Sequence, residues 1–465
     1  MSFPAGIKSV TDPEGMAAFL TGVRGEVGQS PGVLLPKTTD DVSACVRHLN
    51  DTQTPFVPQS GNTGLVGASV PDSSGKQAVL SLSRLRDTFE IDLSNRSLRV
   101  SAGFRLSEVN ERLCDHGLFF PIDLGSDPMI GGMVATNTGG GRYLRYGDVR
   151  SNTLGLTVVL KNGEVVRLGG PVRKDNTGPD WKQLHIGSCG WFGTITEAIL
   201  NLEPVVTEQA TALVVPSSNA AMLTLLRHLE TRVGPLLSAF EFMSQAAMKH
   251  TLNHAASLKN PFARGEIPDT ALLIELSRPT TAPWDTPLDT VLEAVLTEAW
   301  ELHEAPIEDA LFGRPGEIWA LRHALSEGVK SAGPLIAFDL GFTRDKVIAF
   351  RAEMTRKLAQ DFPMMEICDF GHLGDGGLHF NLVKTDGPVD ATFEQALRDY
   401  VVDHTVNVFG GSFSAEHGIG PKNIRYFEKS EAHQQAGQSG IHMLAGFTGS
   451  YDPYKWRGCC VCGWS

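Results

Sequence analysis

Apolar residues recur along this chain in two rhythms. Between Val33 and about residue 205 they come mostly as short runs. These are Val33-Leu34-Leu35 stopped by Pro36, Ala78-Val79-Leu80-Ser81-Leu82, and Phe89–Leu93 and Leu98–Ala102 on either side of Ser94-Asn95-Arg96. Runs of this length bounded by turn residues predict strands. Leu156–Leu160 and Glu164–Leu168 flank Asn162-Gly163, a dipeptide that tolerates the positive φ angles of a tight hairpin. Helical spacing interrupts the strands. Thr38-Thr39-Asp40-Asp41 offers N-cap chemistry, and Val42, Cys45, Val46 and Leu49 follow at i, i+3, i+4 and i+7, which predicts a helix with one buried stripe. Leu106–Leu113, with Ser107 near its start, and a short apolar stretch around Met16–Leu20 predict two more. Beyond Pro204 the rhythm lengthens. Ala220–His228 and Leu288–Leu302 read as helices, Ala271–Leu276 and Leu335–Leu340 as strands, which predicts a second, α+β domain. From about Gly437 clean periodicity is lost.

The length of 465 residues exceeds what one core organises, so two or three domains are expected. With 42% hydrophobic and 20% charged residues the balance is that of a globular protein. The formal charge of −13 repels phosphate backbones and argues against nucleic acid as a partner. An anionic substrate then needs a local cation to hold it. Seven cysteines, three of them (Cys459, Cys460, Cys462) crowded at the end, do not form a disulfide framework, and a reducing, cytoplasmic setting is expected. The terminal Cys-Cys-Val-Cys lacks a fourth ligand at useful spacing, so it reads as an atypical tail, of the kind a shifted reading frame leaves. Met1–Leu20 has one basic residue and no apolar h-region, so no secretory leader is expected. No stretch approaches the about 18 apolar residues of a membrane span, which leaves peripheral membrane contact open.

Three glycine-rich segments carry the first chemical signal. Pro58-Gln59-Ser60-Gly61-Asn62-Thr63-Gly64-Leu65-Val66-Gly67 follows a short apolar run, and a loop of this composition forms a nest of converging N–H groups suited to pyrophosphate. It is neither a Walker loop nor a Gly-x-Gly-x-x-Gly fingerprint, and alone it reads equally well as a surface turn. Gly125-Ser126-Asp127-Pro128-Met129-Ile130-Gly131-Gly132-Met133-Val134-Ala135-Thr136-Asn137-Thr138-Gly139-Gly140-Gly141 is rich in small residues that let backbone approach a flat ring system. Ile186-Gly187-Ser188-Cys189-Gly190-Trp191-Phe192-Gly193-Thr194-Ile195-Thr196 repeats the style. Three such stretches exceed the needs of turns and suggest a large nucleotide cofactor.

In this order the three stretches resemble the FAD-binding domain of the vanillyl-alcohol oxidase/para-cresol methylhydroxylase (PCMH) superfamily. The branch they resemble is that of D-2-hydroxyglutarate dehydrogenase, D-lactate dehydrogenase and the related glycolate oxidase component. The resemblance runs from about Val33 to Phe427. It implies an α+β fold: a PCMH-type FAD-binding domain of two α+β subdomains plus an α+β substrate (cap) domain. The implied order is an N-terminal helical segment at 1–32, the FAD-binding domain at 33–205, the C-terminal substrate domain at 206–430, and the atypical tail at 431–465. Pro58, Gln59, Ser60, Gly61, Asn62, Thr63, Gly64 and Leu65 would wrap the pyrophosphate. Ser126, Asp127, Pro128, Gly131, Gly132, Ala135 and Asn137 would line the flavin and ribityl chain, and Gly187, Gly190, Gly193 and Ile195 would close the domain near the adenine. Tyr146-Gly147-Asp148-Val149-Arg150 resembles the link into the next strand. No histidine stands in the first loop, so non-covalent FAD is expected. Cys189 and Trp191 stand where the family carries glutamate and threonine, so one polar contact is expected to be missing or moved.

A second constellation lies near the C-terminal end. Gly371-His372-Leu373-Gly374-Asp375-Gly376-Gly377-Leu378-His379-Phe380-Asn381 sets two histidines around a glycine turn. If Leu378–Leu382 is a strand, His379 and Asn381 share a face. Ser414-Ala415-Glu416-His417-Gly418-Ile419-Gly420 adds a carboxylate and an imidazole. Two imidazoles and a carboxylate make a suitable shell for Zn²⁺, although such histidines are also common as hydrogen-bonded pairs. The resemblance implies that His372, His379 and Glu416 bind a divalent metal, zinc first, that His417 is the catalytic base, and that Asn381 touches substrate. Trp319-Ala320-Leu321-Arg322-His323-Ala324-Leu325-Ser326 resembles the helix of a substrate-binding arginine, Arg322, with Ser326 one turn on. Ala337 stands where the family carries a basic or amide residue. The implied activity is oxidation of a D-2-hydroxy acid to the 2-oxo acid with flavin as hydride acceptor, D-2-hydroxyglutarate first. Ala337 leans towards D-lactate or glycolate. The implied acceptor is an electron-transfer flavoprotein or a quinone, and a homodimer is expected. Readings of another class are a non-catalytic flavin-binding component of a complex and a zinc hydrolase. The four residues His372, His379, Glu416 and His417 argue against the first, and the glycine segments against the second.

Overall fold

The helix expected after Thr38 forms as Thr39–Asp51. The Thr38 hydroxyl accepts the Asp41 N–H at 3.1 Å, and the Asp41 carboxylate accepts the Thr38 N–H at 3.2 Å, a reciprocal capping box. Val42, Cys45, Val46 and Leu49 are all buried, packed with Leu34, Phe56, Ala78 and Leu80. Each such aliphatic side chain withdrawn from water stabilises the fold by about 1.5–3 kcal/mol. The pattern read from the sequence is thus the core of the first sheet. This computed structural model describes residues 3–262, 265–279 and 282–430. The tail at 431–465, with its cysteines, lies outside them.

The described residues divide into two units, one of 3–139, 148–204 and 416–430, the other of 140–147 with those between 205 and 415. The first unit holds two sheets. One has the order Lys8–Val10, Val33–Leu35, Ala78–Ser81, Phe56–Gln59, its last three strands parallel. The other is antiparallel, in the order Phe89–Asp92, Ser97–Ser101, Thr194–Asn201, Thr153–Val159, Val165–Gly169. Its last hairpin turns at Asn162-Gly163, with Gly163 at φ +80°. Its core of Leu98, Val100, Leu156, Val158 and Ile195 also takes in Val109 and Leu113 of the helix Leu106–Cys114.

The second unit is built on an eight-stranded antiparallel sheet. Its main path runs Ile307–Gly313, Glu208–Pro216, Thr270–Arg278, Leu237–Ser244, Phe370–Gly371, Gly377–Lys384, Leu335–Gly341. Met365–Ile367 pairs with Gly377–Lys384 from off this path. Helices Gln245–His254 and Pro315–Ser331 cover Leu213, Ala239, Met243, Ala271, Leu273 and Phe370 on one face. Gly328 lets the two helices approach: a Cβ there would lie 2.5 Å from the Thr251 Cα. Among the described residues no helix is long and apolar enough to cross a membrane.

Two stretches group otherwise than the sequence suggests. Residues 140–147, placed within the 33–205 domain by the sequence, belong with the second unit. Arg142 reaches the buried Glu275 at 3.4 Å, Arg145 reaches Ser277 Oγ at 2.9 Å, and Leu144 meets Gly374. Residues 416–430, assigned to the substrate domain, belong with the first unit. Lys422 pairs with Glu26 at 2.7 Å, Gly420 sits against Val66, and Trp191 meets Phe427 edge-on at 5.5 Å.

Candidate functional site

The three glycine-rich segments meet within the first unit. The first leaves the strand Phe56–Gln59 at its C-terminal end. A Cβ at Gly61 would lie 3.1 Å from Met129 N, and one at Gly131 would lie 3.0 Å from Ser60 Oγ, so first and second segments are in contact. The third joins both. Gly187 N donates to Val134 O at 3.0 Å and Cys189 N to Ala135 O at 2.8 Å. Gly190, at φ +84°, faces Pro58, where a Cβ would stand 3.1 Å from the ring. That left-handed conformation is cheap only for glycine. Phe56, Pro58, Gly190 and Gly193 line a recess there.

Several polar side chains expected to hold the cofactor are spent on the framework. Gln59 Nε2 donates to Phe19 O and Ser69 O, both at 2.8 Å. Asn62 Nδ2 donates to Thr21 O at 2.9 Å and its Oδ1 accepts from Ser69 Oγ at 2.8 Å. Asp127 takes the Ser107 N–H at 3.0 Å and its hydroxyl at 2.8 Å, completing the start of the helix Leu106–Cys114. Asn137, left-handed at the end of the helix Ile130–Thr136, donates to Asp148 and accepts the Arg150 N–H, both at 2.8 Å. Burial pushes the Asp148 carboxyl up, but Ser151, Asn137 and Arg150 together hold it below its ordinary value. The resemblance gave these side chains a ligand; here they fix the path of the backbone. The Cys189 and Trp191 departures have a counterpart. Burial raises the Cys189 thiol, opposed by the Ile419 N–H, and Trp191 packs on Phe427. The third segment thus holds the stretch that follows Glu416 and His417, whose side chains lie 3.6 Å apart.

The second unit brings its histidines together through the glycine turn. Gly376 and Gly377 both donate to His372 O, at 3.0 and 3.1 Å. Gly376 has φ +92° and no room for a side chain, since a Cβ would overlap Phe342 O. His372 Nε2 and His379 Nε2 lie 3.3 Å apart. A tetrahedral ion with bonds of about 2.0–2.1 Å sets two nitrogens about 3.3–3.4 Å apart, so the pair fits a divalent cation, as it also fits an N–H···N hydrogen bond. His379 and Asn381 share a face of Gly377–Lys384, opposite Asp339 and Ala337 in register. The Asp339 carboxylate is 3.7 Å from His379 Nδ1.

Arg322 and Ser326 fare differently. Ser326 is exposed on its helix. Arg322, expected to take a substrate carboxylate, is 8% exposed, and its guanidinium is engaged by Glu241, with Nε at 2.9 Å and Nη2 at 2.7 Å. It also lies over the Phe370 ring at 5.0 Å. A buried guanidinium requires a counter-charge, and Glu241, 2% exposed, supplies it. The same carboxylate stands 2.9 Å from His372 Nδ1. Burial pushes Glu241 up, yet His372 and Arg322 hold it below the usual carboxylate value. With a carboxylate 2.9 Å from Nδ1, a neutral His372 carries its proton there and leaves Nε2, 3.3 Å from His379, as the lone-pair nitrogen. Glu241 escaped the sequence reading because it sits in Leu237–Ser244, a wholly buried strand with no glycine or histidine marker. A further donor group, His250, Glu366 and Cys368, is closed on itself. Burial, Glu366 and Asp369 push the Cys368 thiol far up, so it is protonated, and Glu366 bonds His250 at 2.8 Å.

Known proteins match both units. Residues 30–169 match the FAD binding domain, and residues 207–454 match the C-terminal domain of FAD linked oxidases. The chain belongs to the FAD-linked oxidase family. This oxidase is 32% identical over 452 residues to the mitochondrial D-2-hydroxyglutarate dehydrogenase of Danio rerio, covering 96% of this chain and 82% of that protein. It is 31% identical over 438 residues to a D-2-hydroxyglutarate–pyruvate transhydrogenase of Saccharomyces cerevisiae, covering 92% and 85%. Among solved structures an alkyldihydroxyacetonephosphate synthase aligns with TM-score 0.65 at 16% identity, over 87% of this chain and 77% of that one. That likeness shows the fold, which is of the PCMH type.

Proposed function

We propose that this FAD-linked oxidase is a metal-assisted dehydrogenase of a D-2-hydroxy acid, with D-2-hydroxyglutarate, the compound named in its relatives, as first substrate. The observation that carries the metal-assisted chemistry is the pair of imidazole edges 3.3 Å apart. Bound FAD supplies the two-electron acceptor and a divalent cation supplies Lewis acidity at the substrate oxygens. The chain's residues do the rest. His372 and His379 present nitrogen donors, and Glu241 behind His372 sets the tautomer of that ring. The motif Ser414–Gly420 assigns Glu416 as third donor and His417 as the base, which removes the proton from the substrate hydroxyl oxygen as the C2 hydride departs. Asn381, 6% exposed on the His379 face, orients the acid.

D-lactate or glycolate is the second reading, favoured by Ala337. It pairs with Asn381 in register, and its methyl group offers no charge to a second carboxylate. The test is an absorbance spectrum of the purified protein under anaerobic conditions, before and after D-2-hydroxyglutarate, D-lactate and D-malate. Bleaching of the flavin band by D-2-hydroxyglutarate supports the first reading, and bleaching by D-lactate alone supports the second. A flavin that no D-acid reduces sinks both.

A further inference from the structure

Two carboxylates are buried on one face of the second sheet, on neighbouring strands: Glu241 in Leu237–Ser244 and Glu275 in Thr270–Arg278, both at most 2% exposed. One helix serves both. Trp319 Nε1 donates to Glu275 at 2.7 Å, and Arg322, one turn on, pairs with Glu241. Their remaining partners differ. Glu275 is satisfied by Ser238 at 2.7 Å, Gln209 at 3.4 Å and Arg142 at 3.4 Å, all of them groups with no second chemical task in view. Glu241 has one cation, Arg322, and spends its other contact on His372 Nδ1.

The register explains why this contact is built in. Phe242 pairs with Gly371, which places Glu241 beside His372 at the mouth of the turn. Burying an ionised carboxylate is costly unless it is fully paired. Arg322 alone would neutralise it, so the extra bond to His372 is a choice of geometry over charge balance. A carboxylate behind an imidazole fixes the ring's rotation and tautomer and raises the basicity of the far nitrogen.

We propose that Glu241 is the positioning residue of the histidine pair, holding His372 with its Nε2 lone pair aimed at His379 so that the pair can ligate a divalent cation. Arg322 supplies in this assignment the counter-charge beside Glu241, 2.7 Å away. The assignment rests on the metal-assisted reading above.

The probe is Zn²⁺ itself, titrated by competition with a chromophoric chelator into metal-stripped, FAD-loaded protein. Glu241→Gln keeps size and hydrogen bonding but loses the charge. It should bind Zn²⁺ about 10–100-fold more weakly, with FAD content and flavin spectrum unchanged. Glu275→Gln, an equally buried charge loss on the next strand, should keep the parent affinity. Glu241→Asp should recover part of the loss. Equal Zn²⁺ affinity in the parent and Glu241→Gln, or an equal loss in Glu275→Gln, overturns the assignment. A parent protein that takes up no Zn²⁺ overturns the metal reading and the assignment with it. Should Glu241→Gln fail to fold, ¹⁵N-histidine spectra of the metal-stripped parent decide. His372, assigned by its loss in His372→Gln, should show the Nδ1–H tautomer, and an Nε2–H tautomer overturns the proposal.

Discussion

The two units solve recognition in different materials. In the first, the expected cofactor segments meet through backbone and glycine: Gly131 against Ser60, Gly190 against Pro58, Cys189 N on Ala135 O. The polar side chains in those segments, Gln59, Asn62, Asp127 and Asn137, hold the loops in place. In the second, the backbone is an ordinary antiparallel sheet, and the candidate chemistry lies in side chains, the buried Glu241 and Arg322 and the half-buried His372 and His379, each held by another. A backbone-built site is sensitive to added atoms and tolerant of lost charge. A side-chain-built site is the reverse.

Four substitutions break or sharpen that contrast. Loss of the proposed base should be the largest effect: His417→Ala should slow flavin reduction about 10²–10⁴-fold, read by stopped-flow, with FAD content unchanged. An equal loss of FAD would mean that the 416–420 stretch serves cofactor binding and not chemistry. Next comes the buried pair. Arg322→Ala strands Glu241 without its cation and should cost about 3–5 kcal/mol of stability, measured by denaturant unfolding. A cost below about 1 kcal/mol, the value of an exposed pair, would show that Glu241 is solvated after all. In the first unit, Gly190→Ala forces a side chain into a left-handed conformation against Pro58. The strain of about 1–2 kcal/mol should weaken FAD binding about 5–30-fold while leaving Zn²⁺ uptake untouched. The smallest effect should come from Thr38→Ala, which removes the helix cap and costs about 1 kcal/mol without changing either ligand.

Acid should separate the loops further. Asp148 is held below its ordinary value by Ser151, Asn137 and Arg150. A carboxyl depressed in the folded state stabilises above its unfolded pKa of about 3.9 and loses that stabilisation as pH falls through the lower folded value. Thermal unfolding of Asp148→Asn should therefore lie below the parent at neutral pH and converge with it in acid. A constant gap at all pH values would show that Asp148 acts through shape and not charge.

The FAD-binding half was legible because its signals are local. The Thr38 cap, the i, i+3, i+4, i+7 stripe and the Asn162-Gly163 turn each encode their structure within about one turn of chain. The glycine segments were legible too, as composition. The framework bonds of their polar residues were not legible, because a side-chain amide that binds a ligand and one that binds a neighbouring loop look alike in one dimension. The histidine turn was legible from the glycines between His372 and His379. Arg322 was singled out, but its ion pair with Glu241 was not legible, and Ser326 is exposed on the same helix.

By itself, the sequence determined the local elements, the places where backbone must come close, and the residue types available for chemistry. Tertiary structure alone decided which charges meet. Glu241 and His372 are 131 positions apart, as Arg142 and Glu275 are 133. The first pairing depends on strand order and register in one sheet and the second on a helix packed against it, and nothing in a window of the chain records either. The physical reason is that a buried carboxylate is tolerated only where the completed fold delivers its partners, so its identity as a functional group exists only once that fold has formed.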